Sequence, residues 1–228
     1  MIAAIFDLDG TLYKGHIWQA LKRHHETHRM KRWALYSYVG SHMGLWPLYR
    51  WGLLGESRFY KVWGRHMSWL VGGLTLQQAE RVFEWVVAED VMPNLRQDVV
   101  AVLEEHRRKG HRVILLSGTF QPLLQIIGQR LGVEDAVGTV LAVRNGRYTG
   151  SIVPPVCMAD GKVQRLQSFL DGCDPQVDLS VSYAYADGPI DLPFLDLVGH
   201  PNAVYPDSRL AAIAKQRGWP IIGAPKER

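Results

Sequence analysis

Two aspartates, Asp7 and Asp9, stand with one residue between them where the apolar run Ile2 to Phe6 gives out, with Gly10 and Thr11 directly behind. Carboxylates so placed can divide the work of phosphoryl transfer, one attacking phosphorus while its neighbour moves the proton. Further along, Ser117 ends the run RVILL, Lys162 stands at the start of a helical pattern, and Asp187 and Asp191 follow the run YAYA. Clustered carboxylates cannot all ionise without a counter-charge. A hard divalent cation meets that need; magnesium takes oxygen ligands from one or two carboxylates and from substrate phosphate. A calcium loop also begins Asp-x-Asp-Gly, but its fifth position asks for Asp or Asn where Thr11 stands, and a helix rather than an apolar strand should lead into it.

These residues work together only if the chain carries them to one rim. Residues 2–6 read as a buried strand. The stretch 16–90 reads as helical, broken around Gly44 to Gly55 and again at Gly72-Gly73, after which Thr75 and Gln78 form a capping box. From Pro93 helices and strands alternate. A helix over 94–109 stops at Gly110, a strand runs to Ser117, a helix over 122–131 stops at Gly132, and a strand covers 137–143. Asn145-Gly146 signals a hairpin. A helix over 161–170, a strand over 179–186, a helical piece after Pro189, a short strand over 203–205 and a last helix over 207–217 complete the pattern. Such alternation predicts an α/β fold, a Rossmann-like three-layer core with a mostly parallel sheet. In sheets of that kind ligands sit beyond the carboxyl ends of the strands, where Asp7, Ser117 and Asp187 all fall.

Composition narrows the class. With 228 residues, 47% hydrophobic and 21% charged, the chain has room for one full core and a smaller appended unit. Cys157 and Cys173 make neither a disulfide framework nor a zinc pattern and are expected as free thiols in a reducing cytosol. No basic leader precedes the short apolar start, so a cytoplasmic protein is expected. Residues 33–54 are the best membrane candidate, yet His42, Pro47, Arg50 and several glycines interrupt the roughly 20 apolar residues a span needs. That stretch reads as interfacial or packed, and peripheral contact with the inner face of an anionic membrane is expected. Residues 14–90 hold 11 Lys/Arg against 6 Asp/Glu, together with seven of the eight tryptophans and six of the nine histidines. They form a separate basic module. No nucleic-acid motif accompanies the charge, so no nucleic-acid partner is expected. His24 and His28 stand at i,i+4, as metal ligands could, but without a Cys or carboxylate pair they read as solvated or interfacial.

The segments DLDGT, LLSGTF, DGKVQRL and YADGPIDLPFL occur in this order, and together they resemble the four motifs of the haloacid dehalogenase-like superfamily of magnesium-dependent phosphatases. The closing AVYPDSRLAAIAKQRGWPII resembles the phosphoserine-phosphatase-like subfamily, whose members carry a helical cap after the first motif. The resemblance implies a catalytic core over 1–13 and 91–228 and a specificity cap over 14–90. It implies that Asp7 is the nucleophile and a magnesium ligand. Asp9 would be the acid and base, its main-chain carbonyl also touching the metal. Ser117 and the Gly118 amide would hold phosphate; beside what the resemblance implies, Thr11, His16 and Arg65 are expected as further phosphate- or substrate-binding positions. Lys162 would steady the nucleophile, Asp187 would ligate magnesium, and Asp191 would position metal-bound water or Lys162. Relatives usually carry serine where Gly188 stands, so a hydroxyl is missing beside the metal. Relatives acting on phosphoserine carry glutamate nine residues after the nucleophile, where this chain has His16. Tryptophans interleaved with lysines and arginines in the cap suit an amphiphile with an anionic head. The expected substrate is therefore a bulky or lipid-like phosphate ester, with phosphoserine or another small metabolite as the alternative. A non-catalytic binder of phospholigands or membrane surfaces is the alternative of another class, and the intact Asp7, Asp9, Lys162 and Asp187 speak against it.

Overall fold

The computed structural model describes residues 1–225; residues 226–228, the end of the range expected for the core, lie outside the described residues. Strand β1 (Ala3–Phe6) is buried at every position. A strand apolar on both faces must be covered on both. It pairs in parallel with β2 (Arg112–Phe120) on one side and with β6 (Tyr183–Ala186) on the other. β3 (Asp135–Thr139) lies outside β2, and β7 (His200–Val204) and β8 (Ile221–Ile222) lie outside β6, giving an all-parallel sheet in the order β3-β2-β1-β6-β7-β8.

The two-residue period of the strands sorts the core into two layers. Ala4, Phe6 and Leu115 meet Val99 and Leu103 of α5 (Gln97–Arg108) and Leu123 and Leu124 of α6 (Gln121–Leu131). Ala3, Ile5 and Leu116 meet Leu166 of α7 (Asp160–Leu170), Phe194 of α8 (Leu192–Leu195) and Leu210 of α9 (Ser208–Arg217). The molecule thus has the three-layer α/β core that the alternation predicts.

Between β1 and α5 stand α1 (Ile17–Thr27), α2 (Arg32–Arg50), α3 (Glu56–Met67) and α4 (Leu76–Val86). The capping box at α4 forms as expected, with Thr75 accepting from the Gln78 amide at 3.1 Å and Gln78 accepting from the Thr75 amide at 3.0 Å. The break expected from Gly44 is confined to residues 51–55, because α2 continues through Gly44 and Pro47. Pro47 lacks the N–H that would bond the Met43 carbonyl, but it falls in the last turn, with only three helical residues beyond it. An unexpected break at residues 28–31 comes from Arg29 and Lys31, both with positive φ.

Three other elements depart from the sequence reading. The run over 137–143 divides: β3 stays in the sheet, while β4 (Leu141–Arg144) leaves it to pair antiparallel with β5 (Arg147–Ile152). Asn145 (φ 51°) and Gly146 (φ 70°) make the turn between them, as a primed hairpin turn requires. The run over 179–186 is strand only from Tyr183, its start being a 3-10 turn over Leu179–Val181 capped by Asp178. β8 was not foreseen. Both cysteines are free and buried. Among the described residues no helix is long and apolar enough to cross a membrane.

Two sets of hydrogen bonds tie the helical segment to the sheet. Where the chain leaves and returns, Tyr13 donates its hydroxyl to Asp90 at 2.5 Å, and the Arg96 amide reaches the Leu12 carbonyl at 2.8 Å. On the far side the β4–β5 hairpin holds the segment like a strap. The Gly73 amide donates to the Tyr148 carbonyl (2.6 Å), the Tyr148 amide to the Leu74 carbonyl (2.9 Å), and the Ser68 hydroxyl to the Gly150 carbonyl (2.6 Å). A Cβ on Gly72 would stand 2.9 Å from Gly150 Cα, so the strap needs glycine there.

Candidate active site

β1 ends at Phe6, and the next turns put successive side chains on opposite sides: Leu8 and Leu12 go into the core while Asp7 and Asp9 line the cleft. Gly10, at φ 80°, allows the chain to double back so that its amide meets the Tyr13 carbonyl at 2.7 Å. Asp7 is buried. One of its oxygens accepts from Lys162 Nζ at 2.6 Å and the other from the Thr11 hydroxyl at 3.0 Å. Lys162 lies equally close to Asp191, at 2.7 Å, so one ammonium sits between two carboxylates.

Burial alone would depress the Lys162 pKa, but Asp191 and Asp7 outweigh it and hold the ammonium charged. Asp191 responds in the opposite sense. Burial, partly offset by Lys162 and reinforced by Asp7, pushes its carboxyl up to about 7. Asp9 is also raised well above the usual carboxylate range, first by burial and then by the charge of Asp7, against the pull of the Ile17 amide. That amide opens α1 and donates to both Asp9 oxygens at 3.2 Å, which fixes the carboxyl at a helix N-terminus.

The remaining residues arrive from the other strand ends. Ser117 is buried within β2, which runs three residues further than expected, and its hydroxyl accepts from the Thr119 amide at 3.2 Å. A Cβ on Gly118 would stand 2.7 Å from Met158 Cε, so a side chain there would have to displace the methionine that lines the cavity beside it. Asp187 follows β6, with the Thr11 hydroxyl 3.5 Å from it. Carboxylate oxygens of Asp7, Asp187 and Asp191 lie within 4.8 Å of one another. Three hard oxygen donors at that spacing, with a single ammonium among them, suit a divalent cation such as magnesium. Gly188 has room: a Cβ there meets nothing nearer than 3.9 Å, so crowding does not account for the missing serine.

Above this cluster lies a cavity of about 630 Å³, floored by Asp7, Asp9, Ser117 and Lys162. The helical segment forms its roof. Tyr38, His42 and Trp46 of α2 contribute at i, i+4 and i+8, and Phe59, Trp63 and Met67 of α3 repeat the spacing. Trp18 of α1 meets Trp63 edge-on, with centroids 5.6 Å apart. Most of these residues were not foreseen individually; their helical periodicity is the signal that would have found them. Thr119 was also missed. It lines the cavity, and its buried hydroxyl has no hydrogen-bond partner among the described residues.

The expectation of cations beside the aromatics needs correction. Among the described residues the roof contributes no Lys or Arg to the cavity wall, because the helix faces that carry the rings are not those that carry the charges. Arg65 is exposed and absent from the wall, whereas His16 lines it. Trp33 and Trp51 face solvent. His24, expected as solvated or interfacial, is buried, stacked on His28 at 4.3 Å and edge-on to Trp85 at 5.1 Å. Burial and the neighbouring histidines push its pKa down to about 4.

Comparison with known proteins gives a consistent picture. A family model described as haloacid dehalogenase-like hydrolase matches residues 4–196. A probable phosphatase of Mycobacterium tuberculosis is 28% identical over 157 residues, which cover 69% of this chain and 54% of that one; the chain thus spans about half the length of that relative. A histidinol-phosphatase of Neisseria meningitidis is 30% identical over 138 residues, covering 60% of this chain and 62% of that one. Among solved structures, a Bordetella pertussis protein of unknown function superposes with a TM-score of 0.82 at 27% identity over 97% of both chains. An apo phosphoserine phosphatase shares the fold at a TM-score of 0.63 and 17% identity, covering 97% of this chain and 92% of that one.

Proposed function

Because the chain belongs to the haloacid dehalogenase-like hydrolase family, we propose that it is a phosphate monoesterase working through an aspartyl-phosphate at Asp7, with magnesium as cofactor and a bulky, apolar ester as substrate. The observation that carries the reading is Asp7 itself, a buried carboxylate clamped between Lys162 and Thr11 on the floor of an aromatic cavity. An Asp7 oxygen attacks phosphorus as the ester P–O bond breaks, and the raised pKa of Asp9 keeps a proton for the departing alkoxide. Asp9, now ionised, takes a proton from water, whose oxygen attacks phosphorus and frees Asp7 and inorganic phosphate. Lys162 holds the nucleophile in line, and Ser117 with the Gly118 amide orients a phosphoryl oxygen. Asp7, Asp187 and the main-chain carbonyl of Asp9 would hold magnesium with Asp191 alongside. When bound, the ion supplies the counter-charge that phosphoryl oxygens and clustered carboxylates require.

The substrate reading rests on the wall of the cavity. A zwitterion such as phosphoserine wants paired charges on the roof; among the described residues the roof offers rings, methionines, the polar His16, Gln19 and His42, and a single carboxylate, Glu56, already paired with Arg209 at 2.7 Å. A lipid-like or otherwise long apolar leaving group fits that lining. A second reading, a compact heteroaromatic or cationic amine ester, is favoured by the box of aromatic rings and by the relative named histidinol-phosphatase.

Turnover of purified protein with magnesium on a panel of phosphate esters tests both. Long-chain or lipid phosphates hydrolysed faster than phosphoserine support the first reading, and preference for histidinol phosphate supports the second. Phosphoserine preferred over all others would overturn both. An Asp7→Asn protein with undiminished turnover would remove the aspartyl-phosphate scheme itself.

A further inference from the structure

A helix apolar on all sides belongs inside a protein, and α2 is not inside. Its packed side presents Leu35, Tyr38 and His42 to the fold. Its opposite side carries Trp33, Tyr36, Gly40, Met43 and Pro47 at the spacing 3, 4, 3, 4, a single stripe along the helix. Trp33 is 85% exposed and Met43 72%, and in the turn beyond the helix Trp51 and Leu53 are 72% and 73% exposed. A continuous apolar surface of this kind marks a contact site.

The surrounding charge says with what. Between Glu26 and Glu56 the sequence has no Asp or Glu, while Arg29, Arg32 and Arg50 are all exposed. A second copy docking through the same face would bring both sets of arginines together with no acid on α2 itself to separate them. An anionic lipid surface answers both features, taking the rings at headgroup depth and the guanidinium groups at the phosphates. The face also joins the cavity, since Met43 and Trp46 belong at once to the exposed surface and to the cavity wall.

We propose that the outer face of α2 and the turn over residues 51–54 dock on an anionic lipid bilayer, setting the mouth of the cavity against it. This deepens, and for its purpose rests on, the reading of an apolar ester as substrate: the chain of a lipid phosphate would slide past Met43 and Trp46 while its phosphate reaches Asp7.

Flotation of the full-length protein with vesicles of phosphatidylcholine, with and without phosphatidylglycerol, tests the docking apart from catalysis. Binding is expected only with the anionic lipid and should weaken with salt. Arg32→Gln with Arg50→Gln is expected to cost about fivefold per cation, roughly 25-fold together, and Trp33→Ala with Trp51→Ala to abolish flotation. Neither pair lines the cavity, so turnover of water-soluble p-nitrophenyl phosphate should be unchanged. The proposal falls if the wild-type protein ignores anionic vesicles, if the variants bind as well as it does, or if sedimentation velocity shows a dimer that these same substitutions split in place of vesicle binding. Vesicle binding by a protein that rejects every long-chain ester would keep the docking and remove the lipid substrate. Hydrolysis of long-chain esters in detergent by a protein that never floats would do the reverse.

Discussion

Replacing Lys162 by methionine removes the ammonium that sits between two buried carboxylates while nearly preserving volume. In the wild-type protein the ammonium lies 2.6 Å from Asp7 and 2.7 Å from Asp191, with all three side chains buried. Removing one partner of such an arrangement leaves uncompensated charge and typically costs about 3–5 kcal/mol. The pH dependence identifies the cause. Asp191 is held up to about 7 by burial even with Lys162 pulling it down, so losing the ammonium raises it further. The folded variant then keeps a proton that the unfolded chain has released, and its stability rises as pH falls, by about 1.4 kcal/mol per pH unit per proton. From pH 8 to 9 this behaviour belongs mainly to the variant, because in the wild-type protein Lys162 stays charged and Asp191, with its carboxyl at about 7, is mostly ionised there. Urea unfolding of both proteins in chelator at pH 7, 8 and 9 should show a gap widest at pH 9 that narrows towards pH 7. A gap under about 1 kcal/mol, or one independent of pH, would refute the account of Lys162 as counter-charge.

Gly161→Ala should unfold the site from below, since its Cβ would stand 2.0 Å from the Val156 carbonyl oxygen; thermal melting is expected to drop sharply with loss of turnover. Trp63→Ala should lower kcat/KM for bulky esters by about 10–100-fold and leave that of small esters nearly unchanged, because the substitution enlarges the roof and leaves Asp7 and Lys162 on the floor as they are. His106 is buried between His111 and Tyr185, and burial with the neighbouring His111 depresses its pKa to about 4. A depressed histidine contributes stability that is complete above the unfolded value of about 6.5 and lost as pH falls through the folded value. Chemical melts of wild-type protein and His106→Gln at pH 7.5, 5.5 and 4.5 should therefore show a shallower acid loss in the variant.

Much of the cavity floor was legible because Asp7, Asp9 and Ser117 stand where apolar runs give out, and the end of a run is visible in one dimension; Lys162 opens a helix instead and was legible only through the motif that carries it. Helix stops were legible for the same local reason: Gly132 adopts φ 64° after α6 and Gly110 φ 73° after α5, as left-handed caps require. The division of residues 137–143 between two sheets was not legible, since a continuous apolar run carries no mark of the residue at which it changes partner. Nor did Gly44 and Pro47 break α2, because the packing of Leu35, Tyr38 and Phe59 decides that helix more strongly than local propensity. The cavity roof was half legible. Rings and cations are neighbours along the chain, yet a turn of helix turns them to different faces, and reading the 3.6-residue period for rings alone would have separated them.

The strap formed by the β4–β5 hairpin bears on how such a protein could be re-engineered. Because Tyr148 bonds by both its amide and its carbonyl to Gly73 and Leu74, a segment more than 70 residues away in sequence finishes the roof's own foundation. Grafting a foreign lid at the two crossings near Tyr13 and Asp90 would leave that strap gripping nothing. A chimera meant to change substrate must exchange residues 141–152 along with the helices, or the transplanted lid will sit loose above an intact floor.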